Sequence, residues 1–316
     1  MAKILYIIGN GFDLHHELKT KYSDFREYLQ RHNSNLLYLL DTSFSADLWS
    51  DFEKNLAELN IREVFADNYD LLPDENSDRD GEKYSFIDKM EQIKEDLTVG
   101  LRNAMRDWIL DLQDSKNIDD FLLNLDENAI FLTFNYSDTL ERLYQINSNQ
   151  ITYIHNKAER LEINNVRPKE RHLITDNSNI IIGHAVKNLI FEMPKTNQKG
   201  YNSYSYEEGY EAIKSYDNYK NTEQIIKENA PFFNSLNNIE KIVIIGHSLS
   251  DIDMPYFEEI SKNTINSNEY RITYYGDIKL DITKLQSQKF LNKNKNKNVI
   301  YINFEDDIEN IVNAFR

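Results

Sequence analysis

Five consecutive apolar residues, Ile4-Leu5-Tyr6-Ile7-Ile8, end abruptly at Gly9-Asn10-Gly11-Phe12-Asp13. An apolar run without polar alternation suits a strand buried on both faces, the kind found in parallel sheets. Glycine at its exit tolerates positive φ and leaves room beside the main chain, so backbone there can approach a ligand closely. If the following residues open a helix, its free N–H groups and positive dipole end favour a phosphate at the same place. The third glycine of the dinucleotide fingerprint is absent, with Leu14 in its position. The same residues therefore also fit a plain strand-to-helix turn, and the rest of the chain has to decide.

The theme recurs. Ile242-Val243-Ile244-Ile245 leads into Gly246-His247-Ser248-Leu249-Ser250, and the run 129–135 leads into Tyr136-Ser137-Asp138. Further β-rich runs stand at 151–155, 179–184, 271–275 and 298–303. Between them, helical spacing of apolar residues predicts helices over 14–40, 48–72, 87–112, 119–125, 139–146, most of 201–236, 254–265 and 305–315. Thr20 and Ser23 are candidate caps, and Pro73 and Pro231 candidate breaks. The acidic stretch 74–81, the charged stretch 156–178 and the Lys/Asn alternation at 292–298 read as loops. Strands alternating with helices predict an α/β fold, a doubly wound and mainly parallel Rossmann-like sheet. The expected organisation is one domain over 1–316 with a helical insertion at 45–128 and a second, Tyr-rich one at 190–238.

Bulk properties narrow the function. With 40% hydrophobic and 28% charged residues, the 316-residue chain has the composition of an ordered globular protein. A formal charge of −17 argues against sequence-independent nucleic-acid binding, which depends on displacing counterions with Lys and Arg. The absence of cysteine excludes disulfides, thiolate nucleophiles and cysteine-based zinc sites. The opening apolar run is too short for a signal peptide and no run reaches bilayer length. A cytoplasmic protein without a membrane partner is expected.

In a parallel sheet, ligands lie outside the carboxyl ends of the strands, where the strand order reverses. That edge would gather Asn10, Asp13, Asn135, Asp138, His155, His184, His247 and Ser248. One histidine at a strand end is ordinarily structural, but three of them with two asparagines point to a site. Asp13, His155, His184, His247 and Asp253 could instead ligate a divalent ion, as a phosphohydrolase or nuclease would need. No His-x-His pair supports that choice, and no metal is expected. His15-His16 reads as local packing. Ser248 is not a nucleophile elbow, because the second glycine of Gly-x-Ser-x-Gly is missing. The Tyr-rich stretch 201–219 fits either a partner surface or packing along an amphipathic helix.

Several irregular words occur in a defined order: Gly9-Asn10-Gly11-Phe12-Asp13 with Thr20 and Tyr22-Ser23-Asp24-Phe25; Thr133-Phe134-Asn135-Tyr136-Ser137-Asp138-Thr139-Leu140-Glu141; Tyr153-Ile154-His155; and Gly246-His247-Ser248-Leu249-Ser250 with Asp253. Together they resemble the AbiH family of bacterial phage abortive-infection proteins. That family in turn resembles the sirtuin-like (SIR2) NAD-binding fold. The resemblance implies an antiphage effector that hydrolyses NAD to ADP-ribose and nicotinamide. It implies Asn135 and His155 as the catalytic pair, with Asn135 near the nicotinamide ribose and His155 as base. Gly9, Asn10 and Gly11 would hold the pyrophosphate, with Phe12 beside them in the cofactor site and Asp13 anchoring the loop or a ribose hydroxyl, since its charge would repel diphosphate. Thr133 and Asp138 would also belong to the cofactor site, and Gly246, His247 and Ser248 would contact the adenosine side.

Two positions depart from the SIR2 pattern: Ser137 stands where an aspartate is usual and Asn156 where a glycine follows the histidine. The four cysteines of the deacylase zinc ribbon are also missing, which points away from protein deacylation. A non-catalytic nucleotide sensor in a defence complex is the other alternative. Its expected partners, like the effector's, are a further copy of the chain or a phage-derived or defence-system activator.

Overall fold

The computed structural model describes residues 2–44, 47–74, 80–114, 122–160, 178–182, 193, 203–214, 216, 221–291 and 297–304. The chain divides into two compact units. The first comprises Met1–Lys21, Ile109–Ala158 and Lys220–Arg316, and the second Tyr22–Trp108 and Glu159–Tyr219.

The first unit is built on six parallel strands: β1 (Ile4–Ile8), β2 (Ile130–Thr133), β3 (Ile151–Tyr153), β4 (Lys241–Ile245), β5 (Glu269–Tyr274) and β6 (Asn298–Asn303). Their order is β3-β2-β1-β4-β5-β6, all pairs parallel. The chain winds outward one way from β1 through β2 and β3, and the other way from β4. This is the Rossmann-like, doubly wound order, with its switch point between β1 and β4. Leu5, Ile7, Ile242 and Ile244 bury one face; Tyr6, Ile8, Phe131, Val243 and Ile245 bury the other. Tyr6 stacks on Phe131 with ring centroids 5.1 Å apart. Burial on both faces explains why these strands are continuous apolar runs. Each such side chain contributes about 1.5–3 kcal/mol relative to exposure.

The second unit is helical, with Tyr22–His32, Ser34–Ser43, Phe52–Asn55, Ile61–Ala66, Asp80–Glu95, the first turns of Leu101–Asp114, and Ser203–Lys214. Phe25 packs its ring against those of Trp49, Phe52 and Trp108. Gly209 lets Ser203–Lys214 lie tight on Asp80–Glu95, since a Cβ there would come 2.5 Å from the Phe86 ring.

Several sequence expectations need correction. The helix expected over 14–40 is broken by Glu17, whose φ is 57°, and by Asn33, whose side chain accepts from Leu36 N at 3.1 Å and starts a new helix. Thr20 and Ser23 are not caps: Thr20 bonds back to Leu18 O, and Ser23 lies inside Tyr22–His32. The span 48–72 is a series of short helical pieces rather than one helix. Residues 122–125 are irregular, although Leu123 and Leu125 reach the core. The run expected as a strand at 179–184 forms none over 179–182, where Ile180 and Ile182 are apolar because they are buried; its last two residues, His184 included, lie outside the described residues. So do 305–315. The helix Asp277–Leu291 carries no clear stripe, because Ile282 and Leu285 face solvent, and the sequence did not signal it. No helix among the described residues is long and apolar enough to cross a membrane.

Candidate functional site

Strand register determines which side chains meet. Ile8 stands level with Thr133 and Ile245, and Thr133 level with Tyr153. The ladder continues one residue further: Gly9 N donates to Ile245 O at 2.9 Å, Phe134 N to Ile8 O at 2.9 Å and Ile154 N to Thr133 O at 3.1 Å. Two residues beyond the level strand ends come Asn10, Asn135, His155 and His247. The parallel sheet thus brings these four to one edge, one each from the ends of β1, β2, β3 and β4.

Glycine has a specific use at this edge. A Cβ on Gly9 would lie 2.6 Å from His247 Cα, and one on Gly11 2.7 Å from Gly246 Cα. Gly246 has φ +66°, and a Cβ on it would fall 2.3 Å from Phe12 N. The turns after β1 and β4 therefore pack backbone on backbone, an approach no side chain permits. Gly11 N donates to Gly246 O at 2.8 Å and Phe12 N to Gly9 O at 2.9 Å. The N–H groups of Gly9, Gly11 and Phe12 are thus engaged by main-chain carbonyls. Asn10 is exposed, and its Nδ2 donates to Thr20 O at 2.9 Å.

Asp13 lies in the helix Asn10–His15 and is 2% exposed. Ser137 Oγ donates to its Oδ2 at 2.6 Å and Thr139 Oγ1 to its Oδ1 at 2.7 Å. Burial pushes its carboxyl up to about 6, while the hydroxyls of Ser137 and Thr139 and the amide of Asn135 pull it back. Asn135, 7% exposed, donates through Nδ2 to Gly9 O at 3.1 Å, and its own N–H donates to Thr133 Oγ1 at 3.1 Å. Asp138, part-exposed, pairs with Arg142 Nε at 3.1 Å. These contacts lock the first glycine turn to the loop after β2.

The two histidines flank Phe134, whose ring centroid lies 5.6 Å from that of His155 and 4.4 Å from that of His247. His247 Nδ1 accepts from Leu249 N at 2.9 Å, which leaves Nε2 protonated and 3.7 Å from Asp253 Oδ2. Ser250 Oγ donates to the same Oδ2 at 2.7 Å. Burial lowers His247 to about 3. His155, 3% exposed, is lowered to about 4, again by burial first, with Asp253 favouring its charged form and His247 opposing it. Both rings are neutral at physiological pH. Among the described residues, His155 Nδ1 is buried without a hydrogen-bond partner, whereas buried polar atoms are nearly always paired.

Ser248 is exposed beside this cluster. His15 and His16 pack as expected: His16 is fully buried, shares a hydrogen bond of 2.9 Å between its Nε2 and Tyr144 Oη, and lies edge-on to Phe12. Among the described residues no three His, Asp or Glu side chains group as metal ligands. The sequence reading missed Phe134 and Tyr256, whose rings cover His155, and Thr139, which holds Asp13. Phe134 sits inside the Thr-Phe-Asn-Tyr word, but Tyr256 comes from a helix with no such mark.

A family model described as bacteriophage abortive infection AbiH matches residues 5–275. Comparisons with curated proteins and with solved structures each found no match.

Proposed function

The chain belongs to the AbiH family of bacteriophage abortive-infection proteins, and from that footing we propose that it acts by hydrolysing NAD to ADP-ribose and nicotinamide. The observation that carries this reading is the buried Nδ1 of His155 just past the end of β3, which has no hydrogen-bond partner among the described residues, level with Asn135 just past the end of β2. In the reaction, water attacks C1′ of the nicotinamide ribose as the C–N bond breaks through an oxocarbenium-like transition state. The bond pair leaves with the ring nitrogen, so nicotinamide departs neutral and needs no proton. His155 accepts the proton from water, and Asn135 orients the water or the ribose hydroxyls, its amide being both donor and acceptor.

The two departures from the SIR2 resemblance have physical explanations compatible with this site. Ser137 faces a carboxylate already supplied by Asp13, 2.6 Å away; an aspartate at 137 would set two buried charges against each other. Asn156 has φ 63°, a left-handed conformation that glycine adopts freely and asparagine better than most other residues. Its backbone geometry is thus the one a glycine would provide.

At 3% exposure, His155 meets a ribose only when the rings over it move. We therefore expect a slow resting enzyme, opened by an activator of phage or defence-system origin or by association of copies. The same burial supports a second reading, a sensor that binds NAD or ADP-ribose without turnover. Incubation of purified protein with NAD, following nicotinamide release with and without EDTA, separates the alternatives. EDTA-insensitive release supports the hydrolase; tight binding without release identifies the sensor; activity abolished by chelation returns the metal-dependent alternative.

A further inference from the structure

The helical unit contains a cleft of about 360 Å³ among Tyr22–His32, Ser34–Ser43, Leu101–Asp114 and the segment between Gln92 and Gly100. Its lining includes two carboxylates, Asp96 and Asp107, and neither lysine nor arginine. One wall carries parallel rings: Tyr28 stacks on His32 at 4.4 Å, their planes 14° apart, with Phe25 stacked on Tyr28 at 6.4 Å, so that His32 ends the stack. Gln92 and Asn103 add carboxamides.

The two carboxylates differ. Asp107 Oδ1 already accepts Nε and Nη2 of Arg106, at 2.8 and 2.6 Å. Asp96 is half-buried, and among the described residues its carboxylate makes no hydrogen bond. Burial raises its pKa while Lys89 favours the charge. Asp96 also begins a π-helical turn, Asp96–Gly100, inserted between Asp80–Glu95 and Leu101–Asp114. Such turns cost regular hydrogen bonding and recur at functional sites. A half-buried carboxylate lacking hydrogen-bond donors, placed by an irregular turn in a cleft lined by neither lysine nor arginine, is offset only by the charge of Lys89, which makes no salt bridge to it among the described residues.

We propose that this cleft binds a guanidinium group, Asp96 accepting its N–H donors while the Tyr28–His32 wall stacks on its plane. A guanidinium is flat, permanently charged and fork-shaped, which suits both features at once. An ammonium is a point charge and would leave the wall unused, and an anion would meet two carboxylates. The volume lies near the lower end for ligand sites, enough for the head group and a short stem. The guanidinium could come from a small metabolite or from an arginine on a polypeptide. This inference stands apart from the NAD reading, since none of its residues belongs to the sheet edge.

Calorimetric titration of the full chain with agmatine, and separately with acetyl-Gly-Arg-Gly-amide, tests it. Binding is expected, weakened about tenfold or more in Asp96→Asn by loss of the charge-assisted bonds. Gln92→Lys, on an exposed helix position, should weaken it similarly without touching the carboxylate, and guards against a folding defect in the first variant. Tighter binding of the peptide than of agmatine assigns a polypeptide source; the reverse assigns a free small cation. No binding of either probe, undiminished binding in both variants, or equal binding of the diamine cadaverine would overturn the proposal.

Discussion

At Asn156 and Asp13 single residues carry loads that their neighbours in sequence do not announce. Asn156 holds φ 63°, so Asn156→Val, β-branched and strongly opposed to that conformation, should cost about 1–2 kcal/mol, whereas Asn156→Gly should be nearly neutral; urea denaturation of both variants checks this. Asp13 has its folded-state pKa raised to about 6 from 3.8. Its contribution to stability is therefore fully present below 3.8 and lost as pH rises through 6. Asp13→Asn, which cannot titrate, should gain on the wild type steadily between pH 4 and pH 7 in urea midpoints. A difference that is flat or shrinks with rising pH would show that the carboxyl is not held in this way. His16, His155 and His247 have the opposite sign: their folded values lie near 3, 4 and 3, below 6.5. The stability they contribute is present above about 6.5 and lost as pH falls towards 4.

At the scale of elements, the contact between the turns after β1 and β4 sets the geometry of the sheet edge. Gly246→Ala would meet both a positive φ and a contact of 2.3 Å with Phe12 N, so it should destabilise by about 1–3 kcal/mol or more, read as a lowered melting temperature. The strands themselves were legible in the sequence because β1, β2 and β4 are buried on both faces and read as unbroken apolar runs. The purpose of their glycines was not. The Gly-Asn-Gly word reads locally as room for a ligand, but that room is filled by a turn that arrives from β4, far along the chain. Burial alone also misled: Ile180 and Ile182 are apolar like strand residues yet pair with no strand among the described residues. For the helix Asp277–Leu291 the fault ran the other way, since apolar residues on its wet side erased the stripe that would have revealed it.

At the scale of the whole molecule, the strand order converts residues scattered from Asn10 to His247 into one edge, and the family match, residues 5–275, covers all of that span. Parallel strands and their polar exits were enough to anticipate that Asn135, His155 and His247 would assemble. They could not reveal how deeply His155 would be covered, because the rings around it, Phe134, Tyr136 and Tyr256, include one that comes from a distant helix. That cover underlies the expected restraint: dilute purified protein should turn NAD over slowly, and full constitutive turnover would count against it. The most direct test is nicotinamide release from NAD by concentrated wild-type protein beside folded His155→Ala. The base assignment predicts measurable release by the wild type and a rate about 10²- to 10⁴-fold lower in the variant. Equal rates, or NAD bound and left intact by the wild type, would contradict it.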